Sequence, residues 1–164
     1  IHFDKNSRPS TKNLATEILK NFSKASATDS IELVNKAINS WSSYIDAYNF
    51  ISRANKLTHY QTDPPNTHRN RYIDSLRRLE SLKLEEIAKP LLIVAEKCLE
   101  EREKAELSSV IEKFVFRVFG VAKKRVDFLR TEILGLAQDL AHSRKSPHSV
   151  QIQLLSWIQL YAPL

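Results

Sequence analysis

Arg53 and His59, with five residues between them, pair a fixed positive charge with an imidazole that titrates near neutral pH. Eleven arginines and five histidines produce about one such spacing by chance. The plain alternative puts Arg53 on a solvated face and His59 at a fraying helix end. Basic clusters give a denser signal. His68, Arg69, Arg71, Arg77 and Arg78 fall within eleven residues, and Lys123, Lys124 and Arg125 follow one another in an expected turn. Clustered Lys and Arg neutralise phosphates and bind nucleic acid in a salt-dependent, sequence-independent way. The nucleic-acid-binding candidates are therefore Arg69, Arg71, Arg77, Arg78, Lys123, Lys124 and Arg125, with the Arg69 to Arg78 cluster foremost for phosphate contact and DNA as the candidate partner. The competing reading is that these are solvated faces pairing with the acidic stretch Glu100 to Glu106.

The net charge of +6 is unevenly spread. Residues 51–83 hold seven Lys or Arg against three acids, and residues 84–113 hold five against eight. Other chemistries find no support. Gly120 and Gly135 are isolated, so no phosphate-cradling glycine loop can be assembled. The histidines lack zinc-ligand spacing, and Cys98, the only cysteine, reads as a small buried apolar residue. No acidic residue is followed two places later by lysine, the triplet of many metal-dependent nucleases. No metal site and no cofactor are expected in this segment. One cysteine suits a reducing cytoplasm, and no apolar run approaches the roughly 20 residues of a membrane span. The chain opens on Ile1 and contains no methionine, so it is read as a fragment of a larger protein.

The elements that must position these residues are helical. Leu, Ile, Ala, Glu, Lys and Arg are abundant, and glycine is scarce. Ser10 caps a stripe of Leu14, Ile18, Leu19 and Phe22. Asp29 with Glu32 resembles a capping box and opens a long helix along Ile31, Val34, Ile38, Trp41, Ile45, Tyr48 and Ile51, extending to Tyr60. Trp41, Tyr44 and Tyr48 read as core. Two prolines make residues 62–67 a loop. Next comes a helix with Tyr72, Ile73, Leu76, Leu79 and Leu82 inside and the arginines outside. Pro90 marks the first turn of another, whose apolar side is Leu91, Leu92, Val94, Ala95, Cys98 and Leu99 and whose solvated end is Glu100 to Lys104.

A central helix from Glu106 follows, with Ile111, Phe114, Val115 and Val118 on one face and Phe116 and Phe119 opposite. Apolar nearly all round, it must be covered on several sides. It ends at Gly120 or at Lys123-Lys124-Arg125. Arg117, alone among apolar residues, needs a carboxylate partner if buried, and otherwise reaches water. Val126, Leu129, Ile133, Leu136 and Leu140 make the next stripe. Ser146-Pro147 opens a last helix with Val150, Leu154, Leu155, Ile158 and Tyr161. The expected fold is all-α, orthogonal or bundle-like, with six to seven helices around a central apolar one. It divides into residues 1–61, a loop at 62–67 and a helical core at 68–164.

From Arg71 to Leu164 the order of signals resembles the helical middle region of GmrSD-type restriction proteins, modification-dependent nucleases of phage defence. The resembling pieces are Ser75-Leu76-Arg77-Arg78-Leu79, Lys89-Pro90-Leu91-Leu92-Ile93, Ile111-Glu112-Lys113-Phe114-Val115-Phe116-Arg117, Leu136-Ala137-Gln138-Asp139-Leu140 and Trp157-Ile158-Gln159-Leu160-Tyr161-Ala162-Pro163. The resemblance implies a non-catalytic scaffold between a ParB-like nucleotidase domain and an HNH nuclease domain. Neither of those domains' motifs occurs here. It also implies other domains of the same protein as partners, and a surface that contacts DNA or dimerises. The spacing of Arg53 and His59 is similar to that in helical ribonucleases of the HEPN class, where Arg and His from a dimer face act on the phosphodiester, and that resemblance implies Arg53 and His59 as an alternative catalytic pair.

Overall fold

The computed structural model describes residues 27–56, 67–125 and 127–163, and among these the regular elements are all helices. They are α1 (Ala27–Ile51), a 3-10 turn (Ala54–Lys56), α2 (Thr67–Ser81), α3 (Glu85–Cys98), α4 (Glu101–Val115) continued by a π-helical turn (Phe116–Val121), α5 (Arg130–Ala141) and α6 (Pro147–Tyr161). The all-α expectation holds. The expected Ser10 helix, His59 and most of the proline loop lie outside the described residues.

By compactness the chain forms two units, residues 1–43 and residues 44–164, and α1 runs from one into the other. In the first unit, Glu32, Asn35, Asn39 and Ser42 are exposed at the spacing of one helical face. Helix α1 begins at Ala27, which puts the expected cap Asp29 in its first turn, and it stops at Ile51 rather than continuing to Tyr60.

In the second unit α4 is the hub, packed by α2, α3 and α6, while α5 lies on α3. Leu107, Ile111, Phe114, Val115 and Val118 of the α4 rod are fully buried. They meet Tyr72, Leu76 and Leu79 of α2, Leu91 and Leu92 of α3, and Leu154 of α6 in one core. Each such side chain contributes about 1.5–3 kcal/mol on burial. The rod has one apolar side, not two. Phe119 follows Val115 by four residues, joins the same stripe and meets Phe114 edge-on at 5.7 Å. Phe116, expected to be covered, is 47% exposed.

Two boundaries differ from expectation. Pro90 is the sixth residue of α3 and does not start it. The proline leaves the Glu86 carbonyl without its helical donor, and the boundary falls earlier, at Leu82–Leu84. The acidic stretch Glu100 to Lys104 is not the solvated end of α3 but the first turn of α4. There Glu101 and Glu103 face the positive end of the helix dipole, and the Glu103 carboxylate accepts from the Glu100 N–H at 3.2 Å. Cys98, expected inside, is exposed because α3 ends there.

The turns are made without glycine. Lys83, Lys123 and Ser143 take φ of 56°, 52° and 55°. Their neighbours' N–H groups reach back to helical carbonyls, Leu84 to Leu79, Lys124 to Val118 and Arg144 to Asp139. This is the left-handed C-terminal cap that usually takes glycine. Helix α6 starts as expected, with Pro147 in its first turn and Ser146 Oγ accepting from the Ser149 N–H at 3.2 Å.

Candidate nucleic-acid interface

The seven candidate cations separate into two groups. In the first, Arg69 leaves α2 towards the junction of α3 and α4, and its side chain is only 11% exposed. One guanidinium nitrogen lies 3.3 Å from the Glu96 carboxylate and 3.2 Å from that of Glu101. Lys104 enters from the other side, 3.2 Å from Glu101 and 3.5 Å from Glu96. Two cations and two carboxylates thus close a balanced, mostly hidden network across three helices. Arg69 also covers the Phe50 ring at 4.2 Å. Tyr72 is buried beside this network. Burial first, and then the Glu96 charge, hold its phenol well above its ordinary pKa.

Arg78 forms a two-pronged pair with Glu112 of α4, Nε to Oε1 at 2.6 Å and NH2 to Oε2 at 2.9 Å. Arg77 pairs within its own helix with Asp74 at 3.4 Å. Arg71 is exposed. With His68 it adds to the field that lowers the Glu106 carboxyl, whose first cause is the hydrogen bond from Arg102 at 2.8 Å. Pairing of α2 arginines with the acidic stretch is therefore what the geometry shows for Arg69, and Arg78 finds its acid farther along the same helix.

The second group is Lys123, Lys124 and Arg125, all exposed on the turn that follows the π-helical segment. The C-terminal end of a helix favours cations. The left-handed Lys123 turns the chain, and Arg125 pairs with Asp127 at 3.1 Å. Two exposed residues of the same region were not singled out in the sequence. They are Phe128, over whose ring Lys124 Nζ sits at 5.7 Å, and Arg130, the first residue of α5.

Beside this turn lies an open groove of about 690 Å³ between α3 and α5. Arg125, Asp127 and Arg130 stand at it with Glu86 and Lys89, and Ile93 and Ile133 contribute apolar lining. A second hollow of about 510 Å³ is formed by Lys123, Lys124, Arg125, Asp127 and Phe128.

The remaining expectations resolve unevenly. Arg117 is half-buried and donates to the Ala162 carbonyl at the end of α6, at 3.0 Å, rather than to a carboxylate. Tyr44 packs against the core with Lys97 over its ring at 3.6 Å, whereas Tyr48, expected inside, is 47% exposed. Arg53 is exposed just after α1, but the geometry of its pair with His59 lies outside the described residues. Among the described residues no helix is long and apolar enough to cross a membrane. Set beside known proteins, the chain matches no family model, no curated protein and no solved structure.

Proposed function

We propose that this chain is a non-catalytic helical scaffold or coupling domain of a cytoplasmic, GmrSD-like DNA restriction protein. In this reading it joins a nucleotide-hydrolysing domain to a nuclease domain and offers phosphate contacts through Lys123, Lys124 and Arg125. The observation that supports the reading is the division of the charges. The α2 arginines with the shortest contacts are spent tying helices together, while the cations of the Lys123 turn face solvent. Rigid ties suit an element that transmits position, and clustered exposed cations suit a polyanion.

A gel-shift titration with duplex DNA at two salt concentrations tests it. Binding that weakens steeply with salt, and weakens at every sequence when Lys123 and Lys124 become Glu, is the expected outcome. An affinity untouched by that reversal removes the phosphate role from this turn.

A second reading, a self-associating helical module, is favoured by Ile152, Leu155 and Leu160 of α6, which are 54%, 43% and 67% exposed. Light scattering that shows a dimer stable to dilution, together with no DNA binding at low salt, would favour it over the first.

A further inference from the structure

Phe128 is an exposed aromatic ring beside the cations, with Lys124 Nζ 5.7 Å from its centre. It is 43% exposed in a turn, yet it is not loose, because Tyr161 of α6 meets it edge to face with ring centroids 4.9 Å apart. Lys123, Lys124 and Arg125 precede it, and Arg130 follows. The two hollows share Arg125 and Asp127 and so adjoin, the one at the phenyl ring carrying Lys123, Lys124 and Arg125 against Asp127, and the α3–α5 groove carrying Lys89, Arg125 and Arg130 against Glu86 and Asp127. Phosphate contact alone gains nothing from an exposed ring. An aromatic platform held in place among cations is how proteins grip unpaired bases, the ring stacking on a base and the cations following the backbone. A duplex, whose bases are already stacked, leaves such a ring idle.

We propose that the surface from Lys123 to Arg130 binds single-stranded DNA, with Phe128 stacking on an unpaired base and Lys123, Lys124, Arg125 and Arg130 contacting the flanking phosphates. This rests on the phosphate-binding reading of the same turn and adds to it the form of DNA that is bound. The Asp127 carboxylate, now on Arg125, gives way to a phosphate that takes its place. The α3–α5 groove then receives the next stretch of strand.

The test is fluorescence anisotropy with three labelled probes of equal length at low salt: an oligothymidylate, an abasic strand with the same phosphates and no bases, and a duplex. The expected result is tightest binding to oligothymidylate, with Phe128→Ala weakening that probe about tenfold and leaving the abasic strand unchanged. Phe128→Leu preserves apolar packing on Tyr161 without an aromatic face, so it should weaken binding as much as alanine does, while Phe128→Trp should retain it. Equal affinity for oligothymidylate and abasic strand, unaffected by either loss of the ring, would overturn the stacking proposal and leave the phosphate reading standing. Failure of all three probes to bind would overturn both.

Discussion

The α2–α3–α4 junction and the Lys123–Arg130 turn are built from the same kinds of residue and use them in opposite ways. At the junction, Arg69 and Lys104 are almost hidden and each lies within 3.5 Å of both Glu96 and Glu101. At the turn, Arg125 pairs with Asp127, no ion pair of Lys123, Lys124 or Arg130 is found among the described residues, and all five side chains are exposed. What separates them is the distance along the chain to the counter-charges. Arg69 finds its acids 27 and 32 residues away, brought there by helix packing, whereas Arg125 has only its near neighbour. A local count of charges cannot tell a structural arginine from an available one.

The sharpest way to break the contrast is to remove an acid from the junction. Glu96→Ala leaves two buried cations sharing one carboxylate and should cost about 3–5 kcal/mol, read from the urea midpoint. A loss below about 1 kcal/mol would mean that water already satisfies the network. The matching change at the turn, Lys123→Glu with Lys124→Glu, should alter stability by no more than about 0.5 kcal/mol. It should also flatten the salt dependence of DNA binding by about two phosphate contacts. If instead the protein unfolds, the turn is a structural element like the junction.

Tyr72 sharpens the comparison through pH. Because its folded pKa is raised, the folded state keeps the phenol proton more tightly than the unfolded chain does. The corresponding stability is full below about pH 10, the ordinary tyrosine value, and is lost as pH rises beyond it. Thermal unfolding followed from about pH 9 to 11 should show that loss, and Tyr72→Phe should flatten it. Identical curves would place Tyr72 in contact with water. The smallest effect is expected at Lys123. The left-handed backbone costs a non-glycine residue about 1–2 kcal/mol, and glycine returns about 0.5–1 kcal/mol of that as chain entropy. Lys123→Gly should therefore stabilise the fold by about 0.5 kcal/mol, measured as a small rise in melting temperature, while reducing DNA affinity. No loss of affinity would separate the lysine's charge from binding.

Helical periodicity was enough to find the elements and most of the core. Leu76, Leu91, Ile111, Ile133 and Leu154 are buried as their stripes require, because a 3.6-residue repeat of apolar side chains has few other places to go, whereas Leu82, Cys98 and Leu155, expected on the same stripes, are exposed. Boundaries were harder to read. Pro90 is a strong breaker by chemistry, yet α3 accommodates it, and α2 stops at a left-handed Lys83 that no residue preference announces, while the α4 rod does end just before Lys123-Lys124-Arg125 as expected. The basic cluster on α2 was visible as composition, but the burial of Arg69 depends on which acids α3 and α4 deliver. Phe128 was missed because an aromatic among Val126 and Leu129 looks like core. Its exposure follows from where the turn ends and α5 begins.

The π-helical turn from Phe116 to Val121 carries a consequence for chain length. Its bond from the Ala122 N–H to the Arg117 carbonyl spans five residues where an α-helix spans four. The widened turn takes up one residue more than an α-turn does, so deleting a residue there lets the α-helical pattern close with little change in the direction of the basic turn. The same deletion in the regular part of α4 would rotate everything after it by about 100° around the helix axis. Chain length is therefore forgiving within Phe116–Val121 and unforgiving in the turns of α4 before it.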